Sequence, residues 1–199
     1  MIADLPFSQA CENNKIAILA VLSRVFATSD SILEVGSGTG QHATFFADAL
    51  SHLRWLPTET AENLPVLLPR CAEYTSENLA PPQVLDVRRR PWPEMEIDGV
   101  FSANTLHIMG VEAVGDFFSG LDAVLKSGAQ LAVYGPFNYG GNYSSASNAQ
   151  FDQWLAARNP LSAIRDFEAV DELARGIGLQ LLEDNEMPAN NRLLVWRMP

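Results

Sequence analysis

The chain has 199 residues, 47% hydrophobic and 19% charged, with two cysteines and a formal net charge of −11. That length suits one globular domain with a substantial core, and two cysteines make neither a disulfide framework nor a cysteine-built zinc site, so no metal is expected. The acidity, with the three arginines at 88–90 as the only basic cluster in the sequence, shows no basic face of the kind a nucleic-acid modifier uses and favours a small-molecule or protein substrate.

In chain order, 12–26 reads as a helix. Its apolar run at 16–22 is too short to span a bilayer, and the acids Asp4 and Glu12 before it and Arg24 after it argue against a secretory leader. The expectation is a cytoplasmic chain without a membrane partner, its first 28 residues a helical cap on a single domain covering 1–199. Strand one is 31–35, followed by a helix at 41–50. Strand two is 54–57, closed by Thr58 and Glu59. A helix at 62–76 contains Pro65 and Pro69, which break or kink it. Strand three is 83–85, ending at Asp86, and strand four is 99–102. A helix at 111–126 stops at Ser127-Gly128, and strand five is 129–134. A polar loop at 135–148 precedes helices at 149–158 and 167–176. Two last strands, 179–183 and 192–197, are joined by a turn through 188–191.

Strands alternating with helices predict an α/β Rossmann-like fold: a mostly parallel seven-stranded sheet with helices on both faces. The final pair must be antiparallel, because a tight turn cannot make a parallel crossover. Ligands of such sheets bind beyond the carboxyl ends of the strands.

The segment ILEVGSGTG (32–40) carries the most chemical information. A buried-type strand runs into three glycines and then a helix, so the glycines form a turn that needs positive φ and brings a ligand against bare backbone. The helix start behind them offers free N–H groups. A dinucleotide fingerprint has a third small residue at position 41, and here Gln41 stands there, which weakens a dehydrogenase reading. The spacing E-x-G-x-G-x-G instead resembles motif I of class I methyltransferases, which use S-adenosylmethionine (SAM) and release S-adenosylhomocysteine (SAH). That resemblance makes Glu34, Gly36, Ser37, Gly38, Gly40 and His42 the expected cofactor loop.

Glu59 stands 23 residues after Gly36, where a carboxylate can accept from both hydroxyls of a ribose; the bland alternative is a loop acid or helix cap. Asp86 is either an adenine contact or a strand stop. Asn104 and His107 follow strand four, and the resemblance puts them beside the methionine half of SAM. His107 is a candidate general base, although a His just past a strand is more often a packed, hydrogen-bonded structural residue. Tyr134, Asn138 and Tyr139 follow strand five, as pocket walls or surface turn residues, with Tyr134 also a candidate catalytic group.

Across nearly its whole length the chain resembles the family called domain of unknown function 938. The likeness rests on ACENNK (10–15), 32–42, WLPTE (55–59), LDV (85–87) with PWP (91–93), SANTLHI (102–108), YGPF (134–137), SNAQFD (147–152), IRD (164–166) and EMPANN (186–191). At 58–59 the family more often has Ser-Asp, so Thr58-Glu59 keeps the carboxylate but lengthens its reach. The last four segments are not needed for SAM and become substrate candidates. With the N-terminal motif they nominate Glu12, Asn14, Tyr134, Asn138, Tyr139, Asn148, Arg165 and Asn190. Arg165 either pairs with Asp166 or presents its fork to an acidic substrate. The resemblance implies SAM-dependent methylation of a small polar or acidic metabolite, and a non-catalytic SAM- or SAH-binding protein is the alternative. Oligomeric state is left open.

Overall fold

The computed structural model describes residues 5–74, 76–93, 95 and 97–199; the first four residues of the cap and residue 75 of the expected third helix lie outside them. The elements are α1 (Gln9–Val25), β1 (Ser31–Val35), α2 (Gln41–Ala49), β2 (Arg54–Glu59), α3 (Leu64–Glu73), β3 (Gln83–Val84), β4 (Ile97–Ala103), α4 (Val111–Leu121), β5 (Leu125–Gly135), β6 (Phe137–Asn138), α5 (Ala146–Arg158), β7 (Arg165–Asp166), α6 (Phe167–Gly176), β8 (Gln180–Met187) and β9 (Asn191–Arg197). A 3-10 turn, Pro188–Asn190, joins the last two strands.

Seven strands form one sheet in the order β3-β2-β1-β4-β5-β9-β8. β1 pairs in parallel with β2 and β4, and β4 in parallel with β5, while β9 runs antiparallel to both β5 and β8. This is the Rossmann-like architecture expected from the alternating pattern, with the antiparallel pair where the tight turn requires it. β6 and β7 make a separate two-stranded ladder, too short to leave a sequence pattern.

Side chains alternate between two cores because successive strand residues face opposite ways. Leu33, Val100, Leu131 and Trp196 join Phe117 and Phe118 of α4 and Val170 of α6 on one face. Ile32, Phe101, Ala132 and Val195 join Ile18 and Leu22 of α1 and Phe46 of α2 on the other. A fully buried side chain of this size stabilises by about 1.5–3 kcal/mol, so both faces are firmly anchored.

Several element ends differ from expectation. α4 stops at Leu121, not at 126, because Leu125 pairs with Ile97 and already belongs to β5. Ser127-Gly128 is therefore an irregularity inside a strand; Gly128 has φ +84 and the register shifts there. α3 begins at Leu64, with Pro65 in the first turn where its missing N–H is harmless. α5 starts three residues early, at Ala146, because Ser145 caps it by accepting the Asn148 N–H. No described helix is long and apolar enough to cross a membrane.

The consequence for the site is geometric. The carboxyl ends of β1, β2, β4 and β5 come to one edge, carrying Val35, Glu59, Ala103 and Gly135.

Candidate functional site

The turn after β1 has Gly36, Gly38 and Gly40 at φ +77, +56 and +76. A Cβ at Gly36 would stand 2.9 Å from the Thr105 side chain, and one at Gly40 2.9 Å from Leu67. At Gly38 it would meet nothing within 4 Å. Packing thus demands the outer two glycines, while the middle one faces open space. The Gly38 N–H points to Glu59 Oε1 at 3.4 Å, and Glu59 Oε2 accepts the Thr60 N–H at 2.7 Å. Ser37 exchanges bonds with Thr58: its N–H donates to the Thr58 carbonyl at 2.9 Å and its Oγ accepts the Thr58 N–H at 3.1 Å. The loop is therefore locked to the end of β2.

Two adjoining clefts open over this edge. One, of about 310 Å3, has Glu59 and Asp86 on its wall and an apolar side made by Leu85, Ile108, Met109 and Leu161. The other, of about 520 Å3, is lined by the glycine loop with Ser8, Cys11, His42, Asn104, His107 and Trp154. Both include Gly36, Glu59, Thr105 and Ile108. Ile108 is 50% exposed and Leu161 66%, an uncovered apolar wall of the kind a flat base can cover. The residues fit an adenosine-type cofactor: Glu59 at the junction for a diol, bare backbone at Gly38, and apolar walls for a base. Asp86 stands on the wall, but both its oxygens already accept from Arg88 at 3.1 Å, which holds its pKa below the usual carboxylate value.

The N-terminal helix roofs the second cleft. His42 Nε2 donates to Asn14 Oδ1 at 2.7 Å, and its ring stacks on Phe46 at 5.2 Å. Burial pulls the His42 pKa down to about 4, so the imidazole is neutral. Burial raises the Tyr134 phenol, opposed by hydrogen bonding from Asn14 and Asn191. Asn14 thus links His42 to Tyr134 through a buried amide. His107 reaches the same cleft, packs edge-on against Phe151 at 5.4 Å, and is lowered to about 4 by burial and then by the positive Arg165. Asn104 sits at φ +57, with its N–H donating to the Tyr134 carbonyl at 2.8 Å.

Other nominated residues do different work. Glu34 is buried below the loop, where its carboxylate accepts from Trp55 Nε1 at 2.9 Å. Burial raises its pKa to about 7, against the pull of the Trp55 and Ser37 hydrogen bonds. Glu12 pairs with Lys15 at 2.5 Å and accepts from Gln41 at 2.7 Å. Arg165 neither pairs with Asp166 nor presents a free fork. Its guanidinium donates to the carbonyls of Leu106 (3.2 Å), Leu161 (2.8 Å) and Met109. With Ala163 N–H on the His107 carbonyl at 3.1 Å and Ser162 Oγ on that of Ile108 at 2.7 Å, four successive carbonyls are clamped.

Tyr139 and Asn190 line a further cleft of about 480 Å3, with Asp184, Glu186 and Arg192. Tyr139 donates to Asp184 Oδ2 at 2.7 Å, and burial with that carboxylate pushes its pKa up. Asn148 is buried beneath Asn190, donating to its carbonyl at 3.0 Å. Asn138 Oδ1 is buried with no hydrogen-bond partner among the described residues.

Thr105, Ser8, Cys11, Trp154 and Asn191 line the clefts, Gln41 braces them through Ser8 and Thr39, and the sequence reading nominates none of these. Gln41 and Thr105 lie inside quoted motifs, which was their only signal. Ser8 had the weak signal of a helix-capping residue, and it accepts the Cys11 N–H at 3.4 Å. Trp154 sits on a helix whose docking no local pattern specifies.

The family described as "Protein of unknown function (DUF938)" matches residues 5–198. Among solved structures the fold is similar to an O-methyltransferase family protein from Burkholderia thailandensis, with TM-score 0.81 and 13% identity over 92% of this chain and 55% of that one. It is similar to an O-methyltransferase family 2 protein from Planctomyces limnophilus in complex with apigenin, with TM-score 0.81 and 13% identity over 96% and 58%. It is also similar to human N-acetylserotonin methyltransferase in complex with SAM, with TM-score 0.73 and 14% identity over 92% and 54%. The chain spans little more than half the length of these proteins, and at such identities the likeness establishes the fold alone.

Proposed function

The chain belongs to the DUF938 family, and from its fold and site we propose that it is a SAM-dependent methyltransferase acting on a small polar molecule in the cytoplasm. The observation that carries this reading is the open face of Gly38 beside the Glu59 carboxylate, in a chain whose fold is similar to solved methyltransferases. SAM, when bound, supplies a methyl group on a positively charged sulfur, whose departure leaves the neutral thioether SAH. Glu59 would hold the ribose diol, Leu85, Ile108 and Leu161 would flank the base, and Gly38 with Asn104 would face the methionine half. Orientation of an acceptor against the methyl is worth about 7–11 kcal/mol without a strong catalytic group, in keeping with the modest set of side chains here.

An acceptor hydroxyl or amide must release one proton as its new bond to carbon forms. His107 lines the glycine-loop cleft, but with its pKa lowered to about 4 it is a weak base, so its part there is packing and orientation and the proton leaves to solvent, while Tyr134 can donate a hydrogen bond to the acceptor. Arg165 was the reason to expect an acidic substrate; with its donors engaged by three carbonyls, that part of the expectation has no counter-charge to rest on. A non-catalytic SAM- or SAH-binding protein is the other reading, and the polar cavity beyond Asn104 weighs against it. Calorimetric titration with SAH tests the cofactor site, with binding by the wild type and its loss in Gly38→Val expected and no binding by the wild type refuting the proposal; conversion of SAM to SAH in an extract of small metabolites then separates the enzyme from a protein that only binds.

A further inference from the structure

A cavity of about 150 Å3 lies between the start of α1, the end of β5 and the turn joining β8 to β9. It adjoins the cleft over the glycine loop through Ala10 and Asn104, which line both. It meets the larger outer cleft through Asn191. Its polar lining consists of Asn13, Asn14, Asn104, Tyr134 and Asn191, all uncharged. The charged groups lining that outer cleft pair with one another: Arg192 with Asp184 at 2.6 Å and with Glu186 at 3.3 Å.

Most of these amides are partly engaged. Asn14 serves His42, Asn13 accepts from Gln9 at 2.9 Å, and Asn191 Nδ2 donates to the carbonyl of Pro188 at 3.0 Å. Asn104 differs. Its carboxamide has no hydrogen-bond partner among the described residues, while its backbone is held at φ +57 by the bond to Tyr134. Asn is among the few residues other than glycine that adopt positive φ readily, and here the bond to the Tyr134 carbonyl holds it there. The held backbone therefore sets an amide, one donor group and one acceptor oxygen, at the mouth of an uncharged polar cavity.

We infer that this cavity receives the reacting end of the methyl acceptor, and that this end is an uncharged hydroxyl or carboxamide oriented by Asn104 and Tyr134. The inference rests on the methyltransferase reading. An uncharged group that donates and accepts matches amides and a phenol, which do both. The lining offers no charged side chain to a carboxylate or an ammonium, so either would lose hydration there without a protein counter-charge, and an ammonium would also face the positively charged sulfur of SAM.

The test uses 15N-labelled full-length protein saturated with SAH and titrated separately with acetamide, ethylene glycol, acetate and methylammonium. Acetamide and ethylene glycol should shift the side-chain amide signals of Asn14, Asn104 and Asn191 saturably. Acetate and methylammonium should need at least fivefold higher concentration. Tyr134→Phe, which keeps the ring, should weaken acetamide and glycol by threefold or more. Asn104→Asp should turn the order in favour of methylammonium. Equal or stronger response to either charged probe overturns the inference, as does no response to any probe in protein that holds SAH. Failure to bind SAH at all is a different result: it removes the methyltransferase reading, and the inference falls with it.

Discussion

Gln41 grips Ser8 with both halves of its carboxamide: Oε1 accepts the Ser8 backbone N–H at 2.5 Å, and Nε2 donates to the Ser8 carbonyl at 3.3 Å. The same side chain accepts from Thr39 Oγ1 at 3.0 Å and donates to Glu12 at 2.7 Å. One buried residue at the start of α2 thus ties the glycine loop to the first turn of α1. The residue that departs from a dinucleotide fingerprint is the one that docks the N-terminal helix over the cleft.

Gln41→Ala should therefore loosen the roof. Leaving several part-buried polar groups unmatched costs about 1–3 kcal/mol, which for a chain of this size lowers Tm by roughly 2–4 °C per kcal/mol. SAH affinity should fall as well, since Ser8 and Cys11 line the cleft. Thermal unfolding with and without SAH checks both; an unchanged ligand-induced shift would break the link between helix and cofactor.

Gly38→Val should abolish SAH binding while the protein stays folded. Its Cβ meets no protein atom, so the damage comes from filling the ligand's space, with backbone strain of roughly 1–2 kcal/mol at φ +56. Gly36→Val should instead harm folding itself, through Thr105 at 2.9 Å. Parallel calorimetry and thermal melts separate the two, and SAH affinity within twofold of wild type for Gly38→Val defeats the assignment.

Glu59→Ala should weaken SAH by about tenfold or more, from loss of charge-assisted bonds of about 1.5–3 kcal/mol. A ligand lacking the two ribose hydroxyls should be insensitive to the substitution. If 2′,3′-dideoxy-SAH binds wild type as tightly as SAH does, Glu59 does not hold the diol.

Glu34 gives a pH dependence of known sign. Burial raises its folded pKa to about 7, above the ordinary value of 4.5, so its contribution is fully present below about pH 4.5 and is lost as pH rises through 7. Glu34→Gln keeps an oxygen for Trp55 and removes the ionisation. Its stability relative to wild type should therefore improve between pH 5 and 8, by on the order of 2–3 kcal/mol. His42 and His107, both lowered to about 4, act in the opposite sense, losing stability as pH falls below 6.5, and they cancel in the difference between the two proteins. Urea unfolding at pH 5 and pH 8 measures it; a flat difference would mean that the carboxyl does not titrate there.

Arg165→Ala should release the segment that carries His107 and Ile108. The carbonyls of Leu106, Met109 and Leu161 lose their donor, and the amides of Ile108 and Met109, which bond to the Thr105 carbonyl at 3.0 and 3.1 Å, should exchange faster. Hydrogen exchange read at those amides, with SAH affinity alongside, tests the clamp. Arg165→Lys should not rescue it, because one ammonium cannot reproduce a planar fork on three acceptors.

Much of the architecture was legible in local sequence. The run of 31–35 into three glycines and a helix specified β1, the turn and α2, because strand period, positive φ and helix start are each written in neighbouring residues. Helix α6 at Phe167–Gly176 and the antiparallel closing pair followed from the same short-range rules. The end of α4 did not, because helix and strand compete for Val124 and Leu125, and only pairing with Ile97 decides for the strand.

The candidate site divides in the same way. The meeting of the glycine loop with Glu59 was legible in the sequence, since spacing along one strand–turn–helix unit and one strand end sets where they lie, and their role toward a cofactor is the proposal above. Tertiary structure alone decided the fates of Glu34, Glu12 and Arg165, whose charged groups were nominated by type but are engaged by Trp55, by Lys15 with Gln41, and by three carbonyls. It also brought Asn14, Asn104, Tyr134 and Asn191 to one cavity from four distant segments. Hydrogen-bond partners far apart in the chain leave no periodicity behind, so which polar side chains remain free for a ligand becomes readable only after the sheet has assembled.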